Sequence, residues 1–238
     1  MPSQHTVSAF DTELKDLSQS IAEMGGLVEK MLSDSADALQ RRDVMLARNV
    51  IERDARIDAI QREIEEKAIM IIARRQPMAV DLREIIGAIR TASDLERIGD
   101  LAKNIAKRTL AIDTAVTLPK VVTGIVHMSQ LVLAQLKTVL DSYVSRNAAR
   151  AVEVWNRDGE IDAIYTSLFR ELLTYMMEDP RNIGFSTHLL FTAKNFERVG
   201  DHATNIAETV YFMATGSTLP SDRPKGGSTS EISHVSAL

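Results

Sequence analysis

The stretch ERIGDLAKNIA at residues 96–106 decides the fold, because a near copy, ERVGDHATNIA, occupies residues 197–207. Glu, Arg, Gly, Asp and Asn keep the same spacing in both copies, which start 101 positions apart. Residues four apart lie side by side on one face of a helix. The repeat therefore predicts two helices, each with a Glu, an Asp and, one turn later, an Asn on the same face.

A longer repeat surrounds these two motifs. Residues 24–58 align without a gap on residues 128–162 when the chain is shifted by 104 positions. The motifs need a shift of 101, so the second half lacks three residues between the two blocks. The turns expected near Pro77 and Pro180 are the natural place for this loss. The chain therefore consists of two similar halves.

Each half is predicted to contain three helices. Proline is absent from the interiors of the amphipathic segments, and in the first half these segments end near residues 40, 75 and 110. Asp43 is a suitable N-cap for the second helix, and Asn147 takes the same place in the second half. Glycine is scarce, and no alternating pattern of strands is found. The predicted class is therefore all-α.

The helices are predicted to form two tandem three-helix bundles, joined by short turns between antiparallel neighbours. The first bundle covers residues 10–112 and the second covers residues 117–215. Residues 216–238 are rich in Gly, Ser and Pro, so this tail is predicted to be disordered.

The composition excludes several classes of protein. The 238 residues are 45% hydrophobic and 26% charged, as in an ordinary globular protein, and contain no cysteine for disulfides or thiolate metal sites. A net charge of −5 argues against a nucleic-acid partner. No signal peptide or membrane-spanning run is found, so we expect a soluble, cytoplasmic protein.

A second acidic pair faces the first across the predicted hairpin. Asp58 and Glu96 each lie 19 positions from Pro77, and Asp54 and Asp100 each lie 23 positions from it. In an antiparallel hairpin of straight helices, equal distance from the turn means equal height. The four carboxylates are therefore predicted to lie level across the groove between two helices.

The second half keeps this alignment. Its two acidic pairs share one midpoint, which falls between Asp179 and Pro180 at the predicted turn. The four residues concerned are Asp158, Asp162, Glu197 and Asp201.

Four carboxylates at one height repel one another, so a positive charge must neutralise them. Neighbouring arginines could do so, and this alternative stays open. Carboxylate and amide oxygens also suit hard cations, iron and manganese. The repetition of level pairs in both halves favours metal binding. The candidate ligands are Asp54, Asp58, Glu96, Asp100, Asn104, Asp158, Asp162, Glu197, Asp201 and Asn205.

No residue pattern indicates catalysis. The chain has no G-x-S-x-G nucleophile motif, no phosphate-binding loop and no dinucleotide fingerprint. We therefore predict a regulatory protein without catalytic residues. One alternative is a phosphohydrolase in which carboxylate-bound metals activate water. The other is a purely structural helical scaffold whose acids are paired with arginine.

The two motifs, together with RRQPMAVDLREI at residues 74–85, resemble the PhoU family of phosphate-transport regulators. The resemblance covers about residues 10–215. It implies two three-helix bundles and E(D)xxxD motifs that hold multinuclear metal clusters on the surface. It places those motifs on Glu96 and Asp100 and on Glu197 and Asp201. The choice among iron, manganese, zinc and magnesium stays open.

The resemblance also implies a role in the cell. PhoU-like proteins reduce phosphate uptake and the phosphate-starvation response when phosphate is plentiful. They act between the Pst phosphate ABC transporter, through its nucleotide-binding subunit, and a PhoR-type histidine kinase. They are usually cytoplasmic homodimers that reach the membrane only through these partners. The second turn, MMEDPRNIGFSTHLL, departs from the first, so the two halves are not equivalent there.

Overall fold

The computed structural model describes residues 8–112 and 118–220, and within these ranges all regular secondary structure is helical, with no strand. The predicted all-α class of two tandem bundles is confirmed. Residues 221–238, most of the predicted disordered tail, lie outside the described part. The described α-helices are α1 (Ser8–Arg41), α2 (Val44–Arg75), α3 (Ala79–Ala111), α4 (Pro119–Ser145), α5 (Ala148–Asn156), α6 (Asp158–Glu178) and α7 (Ile183–Thr215), and a short 3-10 helix (Pro180–Asn182) precedes α7.

The helices of the first half end where local sequence signals place the breaks. The backbone N–H of Leu46 donates to Oδ1 of Asp43 at 3.0 Å, so the predicted N-cap of α2 is confirmed. Gln76 ends α2 in the left-handed conformation, with φ of 47°. Pro77 follows directly, and α3 begins at Ala79.

The middle helix of the second half differs from the single helix predicted. It is interrupted at Arg157, whose N–H donates to the carbonyl of Val154, three residues back. Gly159 follows where the first half has Ala55, and glycine weakens a helix interior. The predicted cap of Asn147 is confirmed, because its Oδ1 accepts from the N–H of Arg150 at 3.1 Å.

The two halves share one hydrophobic core. Helix α3 packs against α7, and α1 packs against α4, so the halves are in contact along their length. A stripe of four isoleucines on α2 is buried in this core, at Ile57, Ile60, Ile64 and Ile71. The domain boundaries at residues 10–112 and 117–215 stay a prediction.

The glycines of the repeated motif let the middle helix approach. A Cβ on Gly99 would lie 3.4 Å from Cγ2 of Ile57, and one on Gly200 would lie 3.1 Å from Cδ1 of Ile161. Ile57 and Ile161 occupy equivalent positions in the two halves. Close helix packing therefore explains both glycines.

Reciprocal contacts join the halves at two arginines. Arg42 follows α1 and Arg146 follows α4, 104 positions later, and both adopt left-handed φ values of 54° and 52°. Arg42 stacks on the ring of Phe185 at 6.0 Å. Arg146 forms an ion pair with the nearly buried carboxylate of Glu84. Glu84 and Phe185 occupy equivalent positions of the repeat. The arginine of each half therefore contacts the same position of the other half.

None of the helices within the described ranges combines the length and the apolar character needed to cross a bilayer.

Candidate functional site

The structure brings the four acidic residues of the first half together. Asp54 and Asp58 lie on α2, and Glu96 and Asp100 lie on α3. Burial raises the pKa of the Glu96 carboxyl, and the negative charges of the other three residues raise it further, against the opposing effect of Arg97. We call these four residues the first acidic cluster. Its like charges are close enough to repel one another.

A lysine that sequence reasoning missed lies inside this cluster. The Nζ of Lys103 donates to Oδ2 of Asp54 on α2 and, at 3.1 Å, to Oδ1 of Asp100 on α3. The hydrogen bond to Asp54 raises the pKa of Lys103 to about 12. The ammonium is therefore charged at neutral pH, and it links the two helices. The repeat did not reveal it, because the second copy has Thr204 at this position.

The arginines next to the acidic residues contribute less. The Nε of Arg97 lies 3.5 Å from Oε2 of Glu96, and its Nη1 lies 3.8 Å from Oδ2 of Asp100. Arg97 is largely exposed, so water weakens both interactions. Arg53 instead binds Oδ2 of Asp34 on α1 at 2.7 Å. Arginine therefore neutralises the first acidic cluster only in part.

Lys103 occupies carboxylate oxygens of the first acidic cluster that a metal ion would need. Two of the cluster's carboxylates, on different helices, direct an oxygen at the ammonium of Lys103. Among the side chains that the structure describes, which do not include that of Asp158, no three Asp, Glu or His residues are arranged to hold a metal ion. Asn104, the remaining first-half candidate, is exposed on α3. Metal binding thus stays a prediction.

In the second half, a lysine contacts the Glu of the repeated motif. Glu197 is nearly buried on α7, and its Oε1 accepts from Nζ of Lys194 at 2.6 Å. Asp162 on α6 and Asp201 on α7 are partly exposed. Asp158 is the first residue of α6, but its side chain lies outside the described part. In the second half a lysine therefore pairs with the Glu of the motif, whereas in the first half Lys103 pairs with Asp54 and Asp100.

Asn205 takes part in a contact between the two halves. Its Nδ2 donates to Oδ1 of Asp94 on α3 at 3.3 Å. The Nδ1 of His202 lies 2.8 Å from the same oxygen. Both residues belong to the second motif and reach the third helix of the first half. Asp94 was missed by sequence reasoning, because its partners are more than a hundred residues away.

Comparison with known proteins matches each half of the chain to the same family domain. The family description "PhoU domain" matches residues 21–109 and again residues 125–210. A phosphate-specific transport system accessory protein PhoU homolog of Rhizobium meliloti (strain 1021) is 58% identical over 235 residues, which is 99% of each chain. The homolog of the same name from Caulobacter vibrioides (strain NA1000 / CB15N) is 50% identical over 222 residues, covering 93% of this chain and 96% of that one.

Two solved structures share the fold. The crystal structure of PhoU from Pseudomonas aeruginosa gives a TM-score of 0.84 at 39% identity, covering 87% of this chain and 100% of that one. The phosphate transport system regulatory protein PhoU from Streptococcus pneumoniae gives 0.83 at 30% identity, covering 89% and 99%. The repeated motif, the pair of bundles and the two matched segments all agree. The chain therefore belongs to the PhoU family.

Proposed function

We propose that this protein is a negative regulator of phosphate uptake and of the phosphate-starvation response. In this proposal it couples the Pst phosphate ABC transporter to a PhoR-type sensor kinase and acts by docking, without catalytic turnover. The names of its relatives support the transport part, since they are accessory proteins of the phosphate-specific transport system. The proposal includes a cytoplasmic location and a homodimer. Light scattering on the purified chain would test the homodimer.

The observation that carries the docking role is the recurrence of exposed apolar residues at equivalent positions of the two hairpins. Ile69 and Leu173 occupy equivalent positions near the ends of α2 and α6, and both are exposed. Leu82 and Ile183 are equivalent near the starts of α3 and α7, and both are exposed as well. Single exposed apolar residues are ordinary. Their occurrence at the same two positions of both hairpins supports a surface that contacts other proteins.

The docking role can be tested with two exposed residues of the first hairpin, one on α2 and one on α3. Ile69→Ser, combined with Leu82→Ser, should weaken binding to the purified nucleotide-binding subunit of the transporter by at least about tenfold, roughly 1.4 kcal/mol. Met45→Ser is the matched control, because Met45 is just as exposed at the other end of α2. Calorimetry would be run with and without phosphate.

Equal binding by all three proteins would remove the hairpin surfaces from the proposal. No binding of the unaltered chain to either the transporter subunit or the kinase, at high phosphate, would contradict the coupling role itself.

Metal binding at the repeated motifs is the second part of the proposal. We expect it in the second half, at Asp158, Asp162, Glu197 and Asp201, because this half has Thr204 in place of Lys103. Iron, manganese, zinc and magnesium remain candidates, in a mononuclear or multinuclear site. Metal content by mass spectrometry should fall when Glu197→Gln and Asp201→Asn are combined. Unchanged content in that folded variant would contradict this part.

A further inference from the structure

The first acidic cluster already contains a cation supplied by the chain. The Nζ of Lys103 is within hydrogen-bonding distance of Asp54 on α2 and of Asp100 on α3. These two carboxylates belong to different helices, so the ammonium lies between them. This is the place where a bridging cation would be expected from the level arrangement of the four acidic residues.

Lys103 is not a freely solvated surface lysine. Its side chain is only 25% exposed, and the carboxylate of its partner Asp54 is almost completely buried. The aliphatic part of a lysine can pack along apolar surface while its ammonium reaches a polar site. Two charge-assisted hydrogen bonds then fix the position of the ammonium. The lysine is therefore an ordered part of the cluster.

A divalent ion and this ammonium compete for the same oxygens. Mg²⁺, Mn²⁺ and related ions need carboxylate oxygens at about 2.0–2.6 Å, which requires the oxygens to converge on the ion. In the first acidic cluster an oxygen of Asp54 and one of Asp100 are directed at Nζ instead. Two cations a few ångströms apart also repel each other. Occupancy by one therefore excludes the other.

The second half provides an internal comparison. At the position equivalent to Lys103 it carries Thr204, whose hydroxyl donates to the carbonyl of Gly200 on its own helix at 3.0 Å. Threonine brings no positive charge to this place. The lysine is thus specific to the first half, although the surrounding Glu, Arg, Gly, Asp and Asn are the same in both.

We propose that Lys103 is the resident cation of the first acidic cluster, where it joins α2 to α3 and excludes divalent metal ions. The inference rests on the metal binding proposed above and confines that binding, in the unaltered chain, to the second half. It further implies that removing the ammonium converts the first acidic cluster into a site for a divalent cation.

The test uses the full chain, freed of metal by chelation, and titration with Mn²⁺ by calorimetry. Lys103→Thr gives the first half the residue of the second, and Lys103→Gln is a second neutral variant that keeps a longer side chain. Each is expected to bind one more Mn²⁺ per chain than the unaltered protein. Adding Glu96→Gln and Asp100→Asn should abolish the extra site. Adding Glu197→Gln and Asp201→Asn should leave it intact.

Thermal unfolding supplies a second readout. In the Glu197→Gln, Asp201→Asn background, Mn²⁺ at about a hundred times its Kd should raise the Tm of the Lys103→Thr chain by roughly 5–10 °C. The same background with Lys103 intact should show no shift. Without metal, the Lys103→Thr chain should melt below the chain that keeps the lysine, because Asp54 loses its counter-ion.

Two results would overturn the inference. One is the absence of an additional ion in both folded lysine variants. The other is loss of Mn²⁺ from the chain that retains Lys103 when Glu96→Gln and Asp100→Asn are introduced. If the unaltered chain binds no Mn²⁺ but Lys103→Thr binds one, the inference holds and the second-half metal site fails. The two proposals are therefore separable.

Discussion

Replacing Arg146 with alanine should destabilise the protein more than the same change at its counterpart Arg42. The carboxylate of Glu84 is only 10% exposed, and Arg146 is its cationic partner. Glu84 lies beside the buried Tyr143, whose pKa rises because of burial and, further, because of the Glu84 charge. A hydrogen bond to a charged group contributes about 1.5–3 kcal/mol. Because Arg146 is more than half exposed, water weakens this interaction. We therefore expect the free energy of unfolding to fall by about 2 kcal/mol in the Arg146→Ala chain.

Arg42 is the matched control, because both arginines follow the first helix of their half with the same left-handed backbone. The Arg42→Ala chain loses a contact 6.0 Å from the ring of Phe185, which is near the limit for a cation–π interaction. Such a contact contributes about 0.5 kcal/mol at an exposed position. Arg42 is exposed, so water weakens its other polar interactions as well, and the two variants should differ by about 1.5 kcal/mol in free energy of unfolding.

Urea unfolding followed by circular dichroism would measure this difference, together with thermal midpoints. A gap of about 1.5 kcal/mol corresponds to roughly 3–6 °C in Tm for a chain of this length. Glu84→Gln added to Arg146→Ala should recover much of the loss, because a neutral amide needs no cation. Equal destabilisation by Arg42→Ala and Arg146→Ala would refute the assignment of Arg146 as the partner that the buried carboxylate requires.

Two further predictions concern the repeated motif. Gly99→Ala should stabilise the protein by about 0.5–1 kcal/mol, because alanine favours helix and the added Cβ would make an ordinary contact with Ile57. Gly200→Ala should gain less or lose stability in the same urea assay, since its Cβ would lie 3.1 Å from Ile161; a larger gain at Gly200 would contradict this. The raised pKa of Glu96 means that its ionised form costs stability in the folded chain, so stability from this group is present at low pH and lost as pH rises. Glu96→Gln should therefore raise the unfolding midpoint at neutral pH but not below about pH 4, and the same gain at both pH values would count against that cause.

Features encoded locally could be predicted from the sequence. The caps at Asp43 and Asn147 follow from side chains that accept from the first turn of a helix. The turn between α2 and α3 follows from Pro77, which a helix interior rejects. The proximity of the first four acidic residues follows from counting positions from that turn. Each of these needs only neighbouring residues or one hairpin.

Other features could not be predicted in this way, either because they depend on packing between the halves or because the two copies differ there. Glu84 and Arg146 are 62 positions apart and lie in different halves. Lys103 lies within the repeated motif, but the second copy has Thr204 at this position. A comparison that looks for residues shared by both copies therefore does not identify the lysine. The break at Arg157 had a local signal in Gly159, but a single glycine is also tolerated within a helix.

The reciprocal placement of Arg42 and Arg146 has an evolutionary consequence. Two identical subunits related by a two-fold axis must carry every substitution twice, once on each side of their interface. Here the two equivalent partners are covalently linked, so each position of the ancestral unit can change alone. Glu84 and Phe185 have diverged in this way at matching contacts, as have Lys103 and Thr204 within the motif. Duplication within one chain thus permits a division of labour that a symmetric pair of single repeats could not acquire.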